Sequence, residues 1–182
     1  MSGQHQTEQG MSRSRYPHLA GQHGAQMLQS VGVTPGTGKT HLAIGLAIRA
    51  CQAGHRVLFA TASQWVDRLA AAHHAGRLQD ELARLGRYPC LVVDEVGYIP
   101  FEPEAANLFF QLVSSRYERA SLIITSNKVF GRWGEVFGDD VVAAAMIDSL
   151  VHHAEVISLR GDSYRLRNRD LGPARAGTNE ER

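Results

Sequence analysis

Apolar residues in this chain fall into two kinds of run, which alternate from position 40 to position 158. One kind is longer and mixed with polar residues. "THLAIGLAIRACQAG" (40–54) predicts an Ala/Leu/Ile helix closed by Gly54. "TASQWVDRLAAAHHAGRLQDELARLG" (61–86) follows a Thr/Ser cap and carries Trp65, Leu69, Leu78, Leu82 and Leu85, so it predicts one long helix or two with a break near Gly76. "PEAANLFFQLVSSRYERA" (103–120) opens on a proline suited to a first helical turn, and "DDVVAAAMIDSLVHHA" (139–154) also reads as helix.

The other kind is short and apolar throughout: "RVLFA" (56–60), "CLVVDE" (90–95) and "SLIITSN" (121–127). Strands without polar alternation are those buried on both faces, and their alternation with helices predicts an α/β fold with a parallel sheet between two helical layers. "EVISL" and "SYRLR" flank Gly161-Asp162 and predict a closing hairpin. "MLQSV" (27–31) precedes the first helix as a further strand. Gln29 and Ser30 interrupt it, which predicts an irregular or short central strand.

The flanks differ in kind. Residues 1–26 and 171–182 are polar, without periodicity, and are expected to be poorly ordered around one domain at 27–170. Hydrophobic residues make up 43% of the 182 and charged residues 20%, a globular balance, whereas a net charge of +1 decides nothing about nucleic acid. Cys51 and Cys90 both sit in apolar text and read as buried thiols of a reducing compartment. The N-terminus has no apolar core segment and no apolar run approaches the ~18 residues of a membrane span, so the expected location is the cytoplasm. His73-His74 and His152-His153 are adjacent pairs, which do not share a helix face and so read as ordinary helix residues rather than metal ligands.

The chemistry concentrates in "GVTPGTGKTH" (32–41). G-x-x-x-x-G-K-[ST] is a phosphate-binding loop, and here it opens directly into a helix, whose N-terminal N–H groups and dipole favour phosphate. Pro35, Gly36, Thr37, Gly38, Lys39 and Thr40 are the candidate ATP-binding residues, with Lys39 for the β/γ-phosphates and Thr40 for Mg²⁺. Val33 stands where the pattern places its first glycine. Of 19 basic residues only Lys39 and Lys128 are lysines. In "LVVDE", Asp94 is the second candidate for Mg²⁺ and Glu95 the candidate for polarising an attacking water; the plain alternative is an acidic turn after a strand. Asn127, ending "IITSN", either orients that water or caps the next turn.

These segments together resemble the IstB family, the ATP-binding helpers of insertion-sequence transposition, which are relatives of the helicase loader DnaC and the initiator DnaA within the AAA+ ATPases. The resemblance runs over about residues 34–168, through "GTGKTHLAIGLAIRACQAGHRV", "LVVDEVGYIPFEPEAANLFFQLVSSRYERASLIITSN" and "FGRWGEVFGDDVVAAAMIDSLVHHAEVISLRGDSYRLR". It implies a P-loop NTPase of AAA+ type. It also implies a DNA-stimulated ATPase that directs the transposase of its element to double-stranded DNA and assembles as a ring or filament. Asp94 and Glu95 would be its acidic pair, Asn127 its sensor asparagine, and Arg165 a basic residue of its C-terminal region.

Three departures accompany the resemblance. One is Val33. The second is an N-terminal segment unlike the family's helical region, so that the chain reads as a truncated copy. The third is Ser149 in "AMIDSLVHH", where the family places an arginine that in AAA+ relatives reaches the neighbouring subunit's ATP. The alternatives are therefore an inactive remnant or a replication protein of the helicase-loader kind. Arg116, Arg119 and Arg132 are candidates for a basic DNA-binding face, though the first two, near a helix end, read equally as solvated surface.

Overall fold

In the computed structural model, residues 27–31, 36–152 and 154–164 are described. The elements in chain order are β1 (Met27–Val31), α1 (Lys39–Gln52), β2 (Val57–Thr61), α2 (Ala62–His74), α3 (Leu78–Gly86), β3 (Cys90–Val96), α4 (Pro103–Arg116), β4 (Ser121–Ser126), α5 (Gly134–Phe137), α6 (Asp140–Val151) and β5 (Ala154–Ser158). The flanks expected to be poorly ordered, residues 1–26 and 171–182, lie outside the described residues, as do Val33, Pro35 and Arg165.

The five strands form one parallel sheet in the order β2-β3-β4-β1-β5. Side chains on a strand point alternately to its two faces, and both faces of this sheet are covered. On one face Leu91, Val93, Leu122 and Ile124 join the larger core with Trp65, Leu69, Leu85, Phe109, Leu112, Phe137 and Met146 from α2 to α6. On the other, Cys90, Val92 and Ile123 meet Ala43 of α1, with Leu46 and Ala47 beside it. That two-sided burial is why β3 and β4 are continuously apolar over Cys90 to Val93 and Leu122 to Ile124.

Local signals place the helix ends. Thr61 accepts from Gln64 N–H while the Gln64 side chain accepts from Thr61 N–H, a capping box that starts α2 directly off β2. Gly76, at φ 67°, makes the expected break between α2 and α3. Pro103 opens α4, and the Asp139 carboxylate accepts from the N–H groups of Val141 and Val142 to start α6.

Three expectations are corrected. The central strand is short but not irregular: β1 is paired in continuous register with β4 on one side and β5 on the other over all five residues. The ladder is built by main-chain groups, which Gln29 and Ser30 supply as any residue does. Of the hairpin expected around Gly161-Asp162, the first strand is present as β5, paired in parallel with β1, and residues 165–167 of its second strand lie outside the described residues. Cys90 is buried but Cys51, near the end of α1, is exposed. Arg116 is 1% exposed and donates to three backbone carbonyls, so it belongs neither to a DNA-binding face nor to a solvated one.

Candidate nucleotide site

The site lies where the C-terminal ends of β3 and β4 meet the start of α1, the crevice in which open parallel sheets bind ligands. Gly36 and Gly38 have φ of 85° and 90°, left-handed conformations open to glycine at little cost. Gly38 precedes α1 at its N-cap position with no side-chain cap, which leaves the first N–H groups and the positive end of the helix open. Lys39 Nζ donates to Thr37 Oγ1 at 3.1 Å, which folds the ammonium back over the loop. The segment beyond β5 also returns to this loop, where Tyr164 N–H donates to Gly36 O at 3.1 Å.

Thr40, in the first turn of α1, and Asp94, near the end of β3, are 54 residues apart in sequence, yet Thr40 Oγ1 donates to Asp94 Oδ1 at 3.1 Å. Asp94 is 3% exposed. A hydroxyl and a buried carboxylate together are the hard oxygen donors that Mg²⁺ prefers.

Glu95, the next residue, has an exposed side chain and φ 65°, a rare conformation for a residue with a Cβ. A bulge produces it. Val93 pairs with Ile124 and Val96 with Ser126, so β3 fits one extra residue into that interval. The bulge turns the Glu95 carboxylate outward while Asp94 stays buried.

Asn127 follows β4 directly, and its Oδ1 is buried with no hydrogen-bond partner among the described residues. An orphaned buried carbonyl oxygen is unusual in a folded protein and marks a place where a ligand or water belongs. Gly97 keeps that place open. At φ 86° it lies so close that a Cβ there would be 3.1 Å from Asn127 Oδ1 and 2.8 Å from Lys128 Cγ. Beneath it, Trp133 stacks edge-on against Phe137, centroids 5.5 Å apart, and its indole N–H donates to Lys128 O at 3.3 Å.

Thr40 of the loop thus meets Asp94 directly, and Glu95 and Asn127 lie at the C-terminal ends of the neighbouring strands β3 and β4. Ser149 sits on α6 with its hydroxyl donating to Ala145 O at 2.9 Å, one turn back on its own helix. Arg132 and Lys128 both pair with Glu135 at 2.8 and 3.2 Å, and the hydrogen bonds from Arg132 and then Lys128 hold that carboxyl down at about 2. Arg119 is exposed. Sequence reasoning missed Thr125, whose hydroxyl touches both acidic residues; its only signal was a polar side chain inside a strand buried on both faces.

The pattern of the family described as IstB-like ATP binding protein matches residues 22–172. The chain belongs to that family. It is 48% identical over 135 residues to a Pseudomonas aeruginosa protein named for ATP binding in insertion sequence IS21, a match covering 74% of this chain and 51% of that protein. It is 44% identical over 137 residues to its counterpart from insertion sequence IS5376 of Geobacillus stearothermophilus, covering 75% and 55%. This IstB-like chain therefore spans about half the length of the curated relatives it matches. Among solved structures it is similar to the DnaC helicase loader, with a TM-score of 0.63 at 22% identity over 76% of this chain and 80% of that one. The fold is thus the α/β P-loop NTPase fold of AAA+ type, with a mostly parallel sheet flanked by helices. No helix among the described residues is long and apolar enough to cross a membrane.

Proposed function

We propose that this chain binds ATP with Mg²⁺ at the crevice just described and acts as an ATP-binding helper of DNA transposition, alongside the transposase of its element on double-stranded DNA. The observation that carries the nucleotide reading is the contact from Thr40 to Asp94, which joins the phosphate loop to the acidic strand end. Membership of the IstB-like family supports the transposition role.

Each residue has a distinct part. Gly36, Thr37 and Gly38, with Pro35 ahead of them, give the loop its path around the phosphates. Lys39 supplies a cation to the β/γ-phosphates. Thr40 and Asp94 hold Mg²⁺, which when bound adds positive charge against the triphosphate. The Glu95 carboxylate accepts a hydrogen bond from the attacking water and polarises it. The Asn127 side chain, with its buried unpartnered oxygen, orients the same water. Assembly as a ring or filament belongs to the same reading.

A second reading, nucleotide binding with little turnover, is favoured by Ser149, a neutral residue whose hydroxyl is spent on Ala145 O. Val33 bears on affinity instead. A phosphate loop whose first position requires φ > 0 takes a β-branched residue there poorly, and misplaced phosphate contacts cost about 1.5–3 kcal/mol for each charged hydrogen bond lost. Val33→Gly is expected to tighten MgATP binding by about 1–3 kcal/mol in calorimetric titration. Equal affinities would show that position 33 does not limit the site. Retention of duplex DNA in the presence of ATP, absent with ADP, tests the transposition role, and no DNA retention in either state would count against it.

A further inference from the structure

We propose that Thr125 is a positioning residue for both acidic groups of the site, its one hydroxyl setting the Asp94 carboxylate and the Glu95 main chain together. The proposal rests on the nucleotide reading above.

The bulge creates the need. Where β3 carries its extra residue, the ladder with β4 is interrupted between Val93 and Val96, and Glu95 is turned to φ 65°. A main-chain N–H at such a point must find another acceptor or lie orphaned. It finds Thr125 Oγ1, at 3.0 Å. A hydroxyl has one proton and two lone pairs. With Oγ1 accepting from Glu95 N–H, its proton is free to be donated, and it goes to Asp94 Oδ1. Thr40 Oγ1 donates to that same oxygen.

Thr125 is 2% exposed, so water does not compete for these bonds. Its hydroxyl therefore serves the two residues assigned to metal and water. The Glu95 turn and the Asp94 orientation are coupled: releasing the hydroxyl frees both. Outer partners that orient metal-ligating carboxylates typically change metal affinity or activity by about 10–100-fold when removed. Thr125 stands in that relation to Asp94.

Thr125→Val keeps the volume and the β-branching and removes only the hydroxyl; Thr125→Ser keeps the hydroxyl and removes the methyl. The full chain is titrated with Mg²⁺ at fixed ATP, and nucleotide binding is read by calorimetry, alongside ATP affinity in EDTA, hydrogen exchange at the Glu95 amide, and Tm. The expected result for Thr125→Val is a Mg²⁺ requirement raised about 10–100-fold, faster exchange at Glu95 and unchanged ATP affinity in EDTA, with Thr125→Ser close to wild type on all three. Should Thr125→Val not fold, Thr125→Ala against Thr125→Ser makes the same comparison. A wild-type Mg²⁺ requirement in Thr125→Val overturns the proposal alone, and so does a serine variant as impaired as the valine one, which would assign the effect to packing of the methyl. A wild-type chain that binds no ATP under any condition overturns the nucleotide reading and this proposal with it.

Discussion

Replacing Ser149 with arginine is expected to raise steady-state ATP turnover in the presence of duplex DNA by at least about 10³-fold over the wild-type chain. An arginine that reaches the transferring phosphoryl group stabilises the charge developing there, and such residues are worth about 10³–10⁵ in rate. Serine has no charge and a short stem, and here its hydroxyl is already committed to Ala145 O. Four other described arginines are engaged elsewhere: Arg116 on three carbonyls, Arg132 on Glu135, Arg68 and Arg84 on Glu81. Asp94, Glu95 and Thr40 all stand within this one chain, so the wild type is expected to hold nucleotide and turn it over near the basal rate. Phosphate release with and without duplex DNA, for wild type and Ser149→Arg at concentrations that force assembly, decides it. Strong DNA-stimulated turnover in the wild type, unchanged by Ser149→Arg, would place the stabilising charge on another residue, with exposed Arg160 the first to test.

The largest stability effect is expected at Arg116. Its guanidinium donates to Leu85 O at 3.0 Å, Tyr88 O at 2.7 Å and Ser121 O at 3.1 Å. It thereby ties the end of α3, the approach to β3 and the first residue of β4 to the last turn of α4. Burial pushes its pKa down to about 10, so it stays protonated at neutral pH. Arg116→Leu takes this donor from Tyr88 O and Ser121 O, while Leu85 O keeps the Tyr88 N–H at 3.1 Å, at about 1–3 kcal/mol for each carbonyl left buried and unsatisfied. A total of at least about 2 kcal/mol corresponds to a Tm lowered by roughly 4–8 °C for a chain of this size. Arg116→Lys is expected to fall between the two, since one ammonium lacks the fork that spans three acceptors. Thermal unfolding by circular dichroism measures both. A wild-type Tm in Arg116→Leu would mean that water or a relaxed backbone satisfies those carbonyls.

Arg116 also shows what sequence pattern cannot carry. Near a helix C-terminus an arginine reads as a solvated partner of the dipole, and only the approach of α3 and β4 from elsewhere in the chain turns it inward. Thr125 was hidden for the same reason: its role depends on the bulge in β3, which no periodicity announces. β1 misled in the opposite direction, because side-chain polarity at Gln29 and Ser30 does not govern main-chain pairing. Cys51 misled because apolar neighbours in sequence, such as Ile44 and Ile48, are themselves substantially exposed on α1 at 40% and 51%. What was legible rests on local chemistry. Gly38-Lys39-Thr40 opening a helix, Gly76 breaking another, Pro103 starting a third, and the fully apolar strands ending at Asp94-Glu95 and Asn127 each state their place without help from distant residues.

Lys39 and its loop, completed by Asp94, are expected to make a working MgATP site. Calorimetric titration of MgATP into the wild-type chain and Lys39→Ala, with Tm recorded for both, tests it most directly. The expected result is saturable, Mg²⁺-dependent binding to the wild type that is lost in Lys39→Ala at an unchanged Tm. Binding of equal strength in Lys39→Ala, or no binding by either the wild type or Val33→Gly, would contradict it.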